Sequence, residues 1–453
     1  MSDTSLLHQF EQCPAVPKTI LAVLAIAGEP LGRTRLGEQL DALSVLDSDQ
    51  HFADCLALLQ ERGLTSMVTG RGTIIKPEVA WPAIEFLLRN GRFNEMRDIY
   101  EVFNPLRRDW QGVPVLRSYR QGVALLRMAL VGGEGAKVVA PILGACLRCH
   151  EAAYLHPLVE ICGRPFEPGL IERINPALRD EVLTVLIDHV QREPLMAPAV
   201  RAYAEAQVAQ GGASMELRIA LAEHLILCGR LDEAGALLQD LDDSAALFYR
   251  SVLLLLRDHI DEALAGFDAA LKMLRRETGR RKAVFAGIGG HLYVAALLRR
   301  GDAKQQKAVE SYLDSATRAV QSHDTAVYQQ LSMLRQIRGG TVDAEVLPSR
   351  NWETALQPVM FRALLHWWLG MPQLSSQRAR LEEATALAAG TGFDFIAAQL
   401  AGILGQLGVV HHEQRAVALR QQHRFTDMTH WFEREQPWER QLNALINLQP
   451  AVN

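Results

Sequence analysis

Apolar positions recur along this chain first with the period of a helix, then briefly with that of a strand, then with that of a helix again almost to the end. Val16, Ile20, Val23 and Leu24 mark one face of a helix, which Gly28-Glu29-Pro30-Leu31-Gly32 breaks. Leu36, Leu40 and Leu43 predict a second, short helix. Ser48 caps a third, which carries Phe52, Cys55, Leu56 and Leu59 and stops at Gly63. Leu64 to Val68 and Thr73 to Lys76 then read as two strands around the tip Thr69-Gly70-Arg71-Gly72, and Pro77 closes the second strand. From Trp81 onward the period is nearly all helical, with breaks at 165–168, 194–198, 211–212 and 339–340, where prolines or paired glycines stand.

Inside that helical stretch one phrase occurs twice. Leu227-Cys228-Gly229-Arg230-Leu231-Asp232-Glu233-Ala234 returns 29 residues later as Leu256-Arg257-Asp258-His259-Ile260-Asp261-Glu262-Ala263. Each copy reads as a polar turn between two apolar helices. Ala263, Phe267 and Ala270 follow the second copy, and Ala222 stands twelve residues before Ala234. Small residues at such places let paired helices approach while the aromatic fills the groove, and both copies resemble tetratricopeptide repeats. Weaker echoes lie at Leu88-Arg89-Asn90-Gly91, Arg299-Arg300-Gly301-Asp302 and Leu369-Gly370-Met371. The expected fold is therefore mainly α: a winged-helix-like domain over 1–80, an irregular tetratricopeptide-like α-solenoid over 81–430, and an amphipathic tail over 431–453. An irregular all-α domain is the other arrangement that this pattern allows.

Bulk composition narrows the setting. At 453 residues the chain exceeds a single core, and 49% hydrophobic with 22% charged residues is ordinary for a globular protein. A net charge of −5 argues against wholesale coating of nucleic acid but leaves room for a local basic patch. Met1-Ser2-Asp3-Thr4 has no basic leader, and the amphipathic run from Ile20 to Ala27 is too short to span lipid. Six scattered cysteines fit a reducing compartment, so a cytoplasmic protein with no membrane contact is expected.

Basic residues concentrate at one place. Lys272, Arg275, Arg276, Arg280, Arg281 and Lys282 surround a single acid, Glu277, while Arg299 and Arg300 fall on the next predicted helix. A solvated helix end accounts for this in the ordinary way; contact with a phosphate backbone or an acidic partner is the functional reading. In the head, Arg71 at the hairpin tip is a further candidate contact. The third helix and its approach carry Asp47, Asp49, Asp54 and Glu61 against only His51 and Arg62, which favours protein docking or scaffolding there over groove reading.

Motifs of chemistry are thin. Cys146-Leu147-Arg148-Cys149-His150 matches a haem-attachment string but lies in an apolar helical run, where thiols pack well. Gly132-Gly133-Glu134-Gly135-Ala136-Lys137 lacks both the Gly-Lys-Ser/Thr ending and the preceding strand of a phosphate loop, and reads as a helix–helix turn. His411-His412-Glu413 with His423 reads as a polar linker, and Trp367-Trp368 as core. No nucleophile elbow, metalloprotease helix or catalytic carboxylate pair stands out, so neither an enzyme nor a cofactor is expected.

The end of the chain changes character. Trp431, Phe432 and Trp438 precede a short amphipathic stripe of Leu442, Leu445, Ile446 and Leu448, an apolar face that calls for a partner surface. With Trp438, Glu439, Arg440, Leu442, Ala444 and Leu445 forming a W-E-R-x-L-x-A-L string, the segment resembles the accessory region that precedes the motor of bacterial Swi/Snf-type (DEAD/DEAH-like) helicases. That resemblance implies a non-catalytic scaffold that contacts a protein partner or a helicase motor domain, and DNA as a further partner. The motor itself has no counterpart here: there is neither a Walker lysine loop nor a D-E-x-H box, so the chain would be a fragment or a free-standing relative unable to hydrolyse ATP alone. The alternative is a winged-helix and tetratricopeptide signalling adaptor or transcription regulator, with a peptide or small ligand held on a concave face around Ala222 to Ala270.

Overall fold

The helical period translates into helices in this computed structural model, which describes residues 3–149, 155–285, 287–301, 303–320, 330, 333–334, 355–370 and 373–432. The chain is mainly helical and divides into two compact units, Met1–Leu186 and Ile187–Asn453. Among the described residues no helix is long and apolar enough to cross a membrane.

The first unit opens with α1 (Asp3–Glu11), α2 (Ala15–Ala27), α3 (Arg33–Ala42) and α4 (Asp49–Glu61). The run Ile20–Ala27, read as amphipathic from its sequence, is buried on every face, because helices cover α2 all round. Ser48 caps α4 by accepting the His51 amide at 3.1 Å. Gly63, at φ 70°, then turns the chain into β1 (Thr65–Val68) and β2 (Gly72–Ile75), an antiparallel hairpin with Thr65 opposite Ile75. Leu31 bridges to Thr73 of β2 by two backbone hydrogen bonds of 2.9 Å, and Gly72 leaves room for that approach, since a Cβ there would lie 2.1 Å from the Leu31 carbonyl oxygen. Next come α5 (Ala80–Arg89) and α6 (Phe93–Phe103), of which α5 packs on α2. A two-residue hairpin, β3 (Arg107–Arg108) with β4 (Pro114–Val115), interrupts the helical stretch where only helix was expected. Its turn is shaped by the Asp109 carboxylate, which accepts the amides of Gln111 and Val113. The unit continues with α7 (Tyr119–Val131), α8 (Ala136–Arg148), α9 (Pro157–Cys162), α10 (Pro168–Arg173) and α11 (Pro176–His189), whose last turn crosses into the second unit. Gly132 to Gly135 form the turn between α7 and α8. Cys146 packs against Gly122, and burial pushes its thiol up to about 12; His150 lies outside the described residues.

The second unit contains α12 (Ala197–Ala209), α13 (Met215–Leu227), α14 (Leu231–Leu238), α15 (Ser244–Leu256), α16 (Ile260–Thr278), α17 (Gly287–Arg300) and α18 (Ala303–Val320). After them stand α19 (Leu356–Trp368), α20 (Gln373–Ser376), α21 (Arg378–Gly390), α22 (Asp394–Gln406) and α23 (Val410–His423). The two copies of the repeated phrase have matching backbones. Gly229 and Asp258 both sit at positive φ, 78° and 70°. The following amides, of Arg230 and His259, donate to the carbonyls of Leu225 and Leu254 at 2.9 and 3.0 Å. Ala222, Ala234, Ala263, Phe267 and Ala270 are all fully buried. Neighbouring helices pack in pairs, α13 on α14 and α15 on α16, but α13 also meets α22, with His224 edge-on to Phe393 at 5.1 Å. Gly339-Gly340 lies outside the described residues.

Two expectations follow from this packing. Phe267 is fully enclosed, so Phe267→Ala should lower the unfolding free energy by about 3–5 kcal/mol, read as a fall in the urea midpoint. His224 is 2% exposed, and burial, reinforced by Arg201 and Arg230, pushes its imidazole down to about 3. Its folded value lies below the unfolded one, so the unfolded chain takes up the proton first and stability is lost as pH falls from about 6.5 towards 3. At pH 5 this one residue should have removed about 2 kcal/mol relative to neutral pH, and His224→Asn should flatten the dependence of the urea midpoint on pH.

Candidate functional site

The repeated turn grammar is interrupted after α16. α16 ends at Gly279 in the left-handed conformation, φ 65°, but the next helix begins only at Gly287. The connector between them lies beside a cleft of about 500 Å³ lined from α16, the connector, α17 and α18.

Each wall follows from helical spacing. Asp268, Lys272 and Arg275 stand four and three residues apart on α16, which places them on one face. Ala308, Ser311, Tyr312 and Ser315 repeat the same spacing on α18. Arg281 and Lys282 come from the connector. Four of the candidate contact residues, Lys272, Arg275, Arg281 and Lys282, are thus brought around one concavity.

Aromatic packing holds the connector in place. Phe285 lies 4.6 Å from Phe248, 5.7 Å from Tyr293 and 6.3 Å from Tyr312, ring centre to ring centre, and Phe267 contacts Phe248 and Tyr293 from below. The Phe285 amide donates to Tyr312 Oη at 2.9 Å. Close approach here needs glycine: a Cβ on Gly289 would lie 2.2 Å from the Phe248 ring, and one on Gly290 2.9 Å from Tyr312 Oη. The Tyr293 hydroxyl donates to Asp268 Oδ1 at 3.0 Å. Burial raises both phenols, and Asp268 adds to the shift at Tyr293, so both remain neutral donors at physiological pH.

Four cations and one acid, Asp268, line the cleft. Glu277, the single acid within the basic run, turns away: its carboxylate accepts the Ser244 amide at 3.2 Å and the Ser244 hydroxyl, at the start of α15, where a negative charge is favourable. Among the described residues no ion pair involves Lys272, Arg275, Arg276, Arg280, Arg281 or Lys282. Arg276 and Arg280 are exposed beside the cleft without lining it.

Arg299 and Arg300 do not join this group. Arg299 pairs with Asp258 at 2.7 Å and lies over the Trp431 ring at 5.3 Å, while Arg300 pairs with Asp261 at 3.1 Å. Both thus serve the second copy of the repeated phrase. Arg71 is exposed at the hairpin tip of the other unit. Trp431 is buried within the second unit, stacked on Trp368 at 6.1 Å, and Phe432 meets the edge of Trp368 at 5.0 Å. The Trp367 and Trp368 indoles donate to the carbonyls of Thr429 and Met428 at 3.0 and 2.8 Å. The face of Trp431 is therefore covered from within the chain. Trp438, Leu442 and Leu445 lie outside the described residues.

Asp268, Tyr293, Ser311, Tyr312 and Ser315 escaped sequence reasoning. The one signal for the last three was the small and polar stripe at 308, 311, 312 and 315, which resembles any solvated helix face until α16 is set opposite. Among the described residues no group of three or more histidine, cysteine or acidic side chains is placed to hold a metal ion. Compared with known proteins, the chain matches no family model, no curated protein and no solved structure.

Tyr312→Phe should cost about 1 kcal/mol by leaving the Phe285 amide without its acceptor. Hydrogen exchange at that amide should accelerate while exchange in α13 stays unchanged.

Proposed function

We propose that the chain is a non-catalytic docking module that engages the phosphate backbone of DNA through the cleft of its second unit, and that it serves as the accessory region of a Swi/Snf-type motor. The observation that carries this reading is the convergence of Lys272, Arg275, Arg281 and Lys282 on one cleft, with no ion-pair partner among the described residues. Cations left without internal partners and backed by a fixed aromatic floor release counterions when a polyanion docks, which is the main source of sequence-independent affinity. Ser311, Ser315 and the neutral Tyr312 add hydroxyl groups suited to phosphate oxygens.

The first unit has a different part. Its three helices α2 to α4 followed by a hairpin support the winged-helix reading, yet α4 begins with Asp49 and carries Asp54 and Glu61. That acidity suits a protein surface, such as the motor, better than a DNA groove. The five enclosed residues in and beside the repeated phrases support the tetratricopeptide-like reading of the second unit. Six free cysteines suit a cytoplasmic setting.

Fluorescence anisotropy with a labelled DNA duplex tests the proposal. The native protein should lose affinity steeply between about 50 and 200 mM salt. The double variant Lys272→Glu, Arg275→Glu should bind at least about tenfold more weakly, with a salt slope shallower by about 2, and Arg71→Glu should leave both nearly unchanged. Equal affinity and equal slope for native protein and double variant would refute it.

A further inference from the structure

We infer that the first unit holds a binding site for a small monocarboxylic acid with an apolar body, seated on Arg127. The site is a cavity of about 490 Å³ between the end of the β1–β2 hairpin, the start of α5, α7 and residues 155–170. That volume falls within the range of small-molecule sites. It owes nothing to the cationic cleft and stands or falls separately from the DNA reading.

Arg127 forms the charged end. Its Nη1 donates to the carbonyl oxygens of Ala25 and Ile26 at 3.0 and 2.8 Å, closing the C-terminus of α2. Gly28 permits this: it sits at φ 63°, and a Cβ there would lie 2.5 Å from Arg127 Nη1. Among the described residues the guanidinium has no carboxylate partner, and both of its hydrogen bonds use Nη1. Arg127 is half-buried, and it lines the cavity. Burial lowers it to about 10, which still leaves it charged at neutral pH. A cation in such a place is costly unless an anion meets it, and α2 supplies only the partial negative charge of a helix end.

The lining explains the class of ligand. Glu160 is engaged by Arg120, and Glu167, raised by burial and then by Glu85, protonates more readily than an ordinary carboxyl. Arg120 and Arg164 line the same cavity beside Arg127. The remaining wall is apolar, with Ile74, Ile84, Leu170 and the Trp81 indole, which abuts Gly169 of α10. A bare phosphate would leave the hydrocarbon wall without a contact. A single carboxylate with an apolar tail matches both ends, the carboxylate meeting the fork of Arg127.

Calorimetry on the full chain, with indole-3-propionate as probe and indole-3-propanol as its uncharged counterpart, gives the test. The acid should bind saturably and at least tenfold more tightly than the alcohol, and Ile74→Trp, which fills the cavity from a half-buried strand position, should abolish binding. Hydrogen exchange with and without the acid locates the site even if that variant folds poorly: protection should rise in 81–87 and 120–131. No binding of the acid at millimolar concentration, equal binding of acid and alcohol, or protection confined to other segments would overturn the inference.

Discussion

Several helices end on one residue held at positive φ, and the way the chain leaves them depends on that constraint. At Gly63, Gly91, Gly133, Gly229, Asp258 and Gly408 the same closure recurs. The next amide donates to the carbonyl five residues before it, at 2.9 to 3.1 Å. The bond satisfies a carbonyl that a helix end would otherwise leave open, and it fixes the direction in which the chain leaves. Glycine meets the conformation at little cost. Asp258 meets it at about 1 kcal/mol of backbone strain, and its carboxylate is paired with Arg299, so a non-glycine residue holds the same joint.

Gly279 has the left-handed residue but not the immediate next helix, and this departure creates the cationic cleft. Seven residues, 280–286, separate Gly279 from α17, a length over which an untethered chain would spread its charges. Phe285, packed against Phe248, Tyr293 and Tyr312, removes that freedom at one end, and α16 fixes the other. Arg281 and Lys282 are consequently held against Lys272 and Arg275, and mutual repulsion is borne by the packing of the aromatic floor. Placing Glu277 at the start of α15 keeps the single acid of the basic run from neutralising them, and Asp268 in the cleft wall accepts the Tyr293 hydroxyl.

Much of this organisation was legible in the residues themselves. The repeated phrase marks two joints to the residue, because a leucine followed two positions on by glycine or aspartate encodes a local hydrogen-bond pattern that owes little to distant partners. Ser48 and Gly63 likewise bounded α4 through local chemistry. The cleft was half legible: its cations cluster in sequence, but its opposite wall comes from α18, whose polar stripe carries no local signature. Arg299 and Arg300 were grouped with it by proximity along the chain, whereas their partners, Asp258 and Asp261, lie some forty residues earlier and are invisible to local spacing. The β3–β4 hairpin was missed because two-residue strands have no measurable period. The Arg127 cavity was missed for a related reason, since it assembles from four separate stretches around a C-terminal cap that only the folded chain reveals.

The central claim is that the cations of the second unit, held by an aromatic floor, are where a polyanion docks. Photo-crosslinking of the full chain to a DNA duplex, followed by mapping of the modified peptides, examines this directly. Crosslinks concentrated in 268–283 and 308–315 are the expected result. Crosslinks confined to the α4 and β1–β2 region of the first unit, with the cleft segments unmodified, would contradict it.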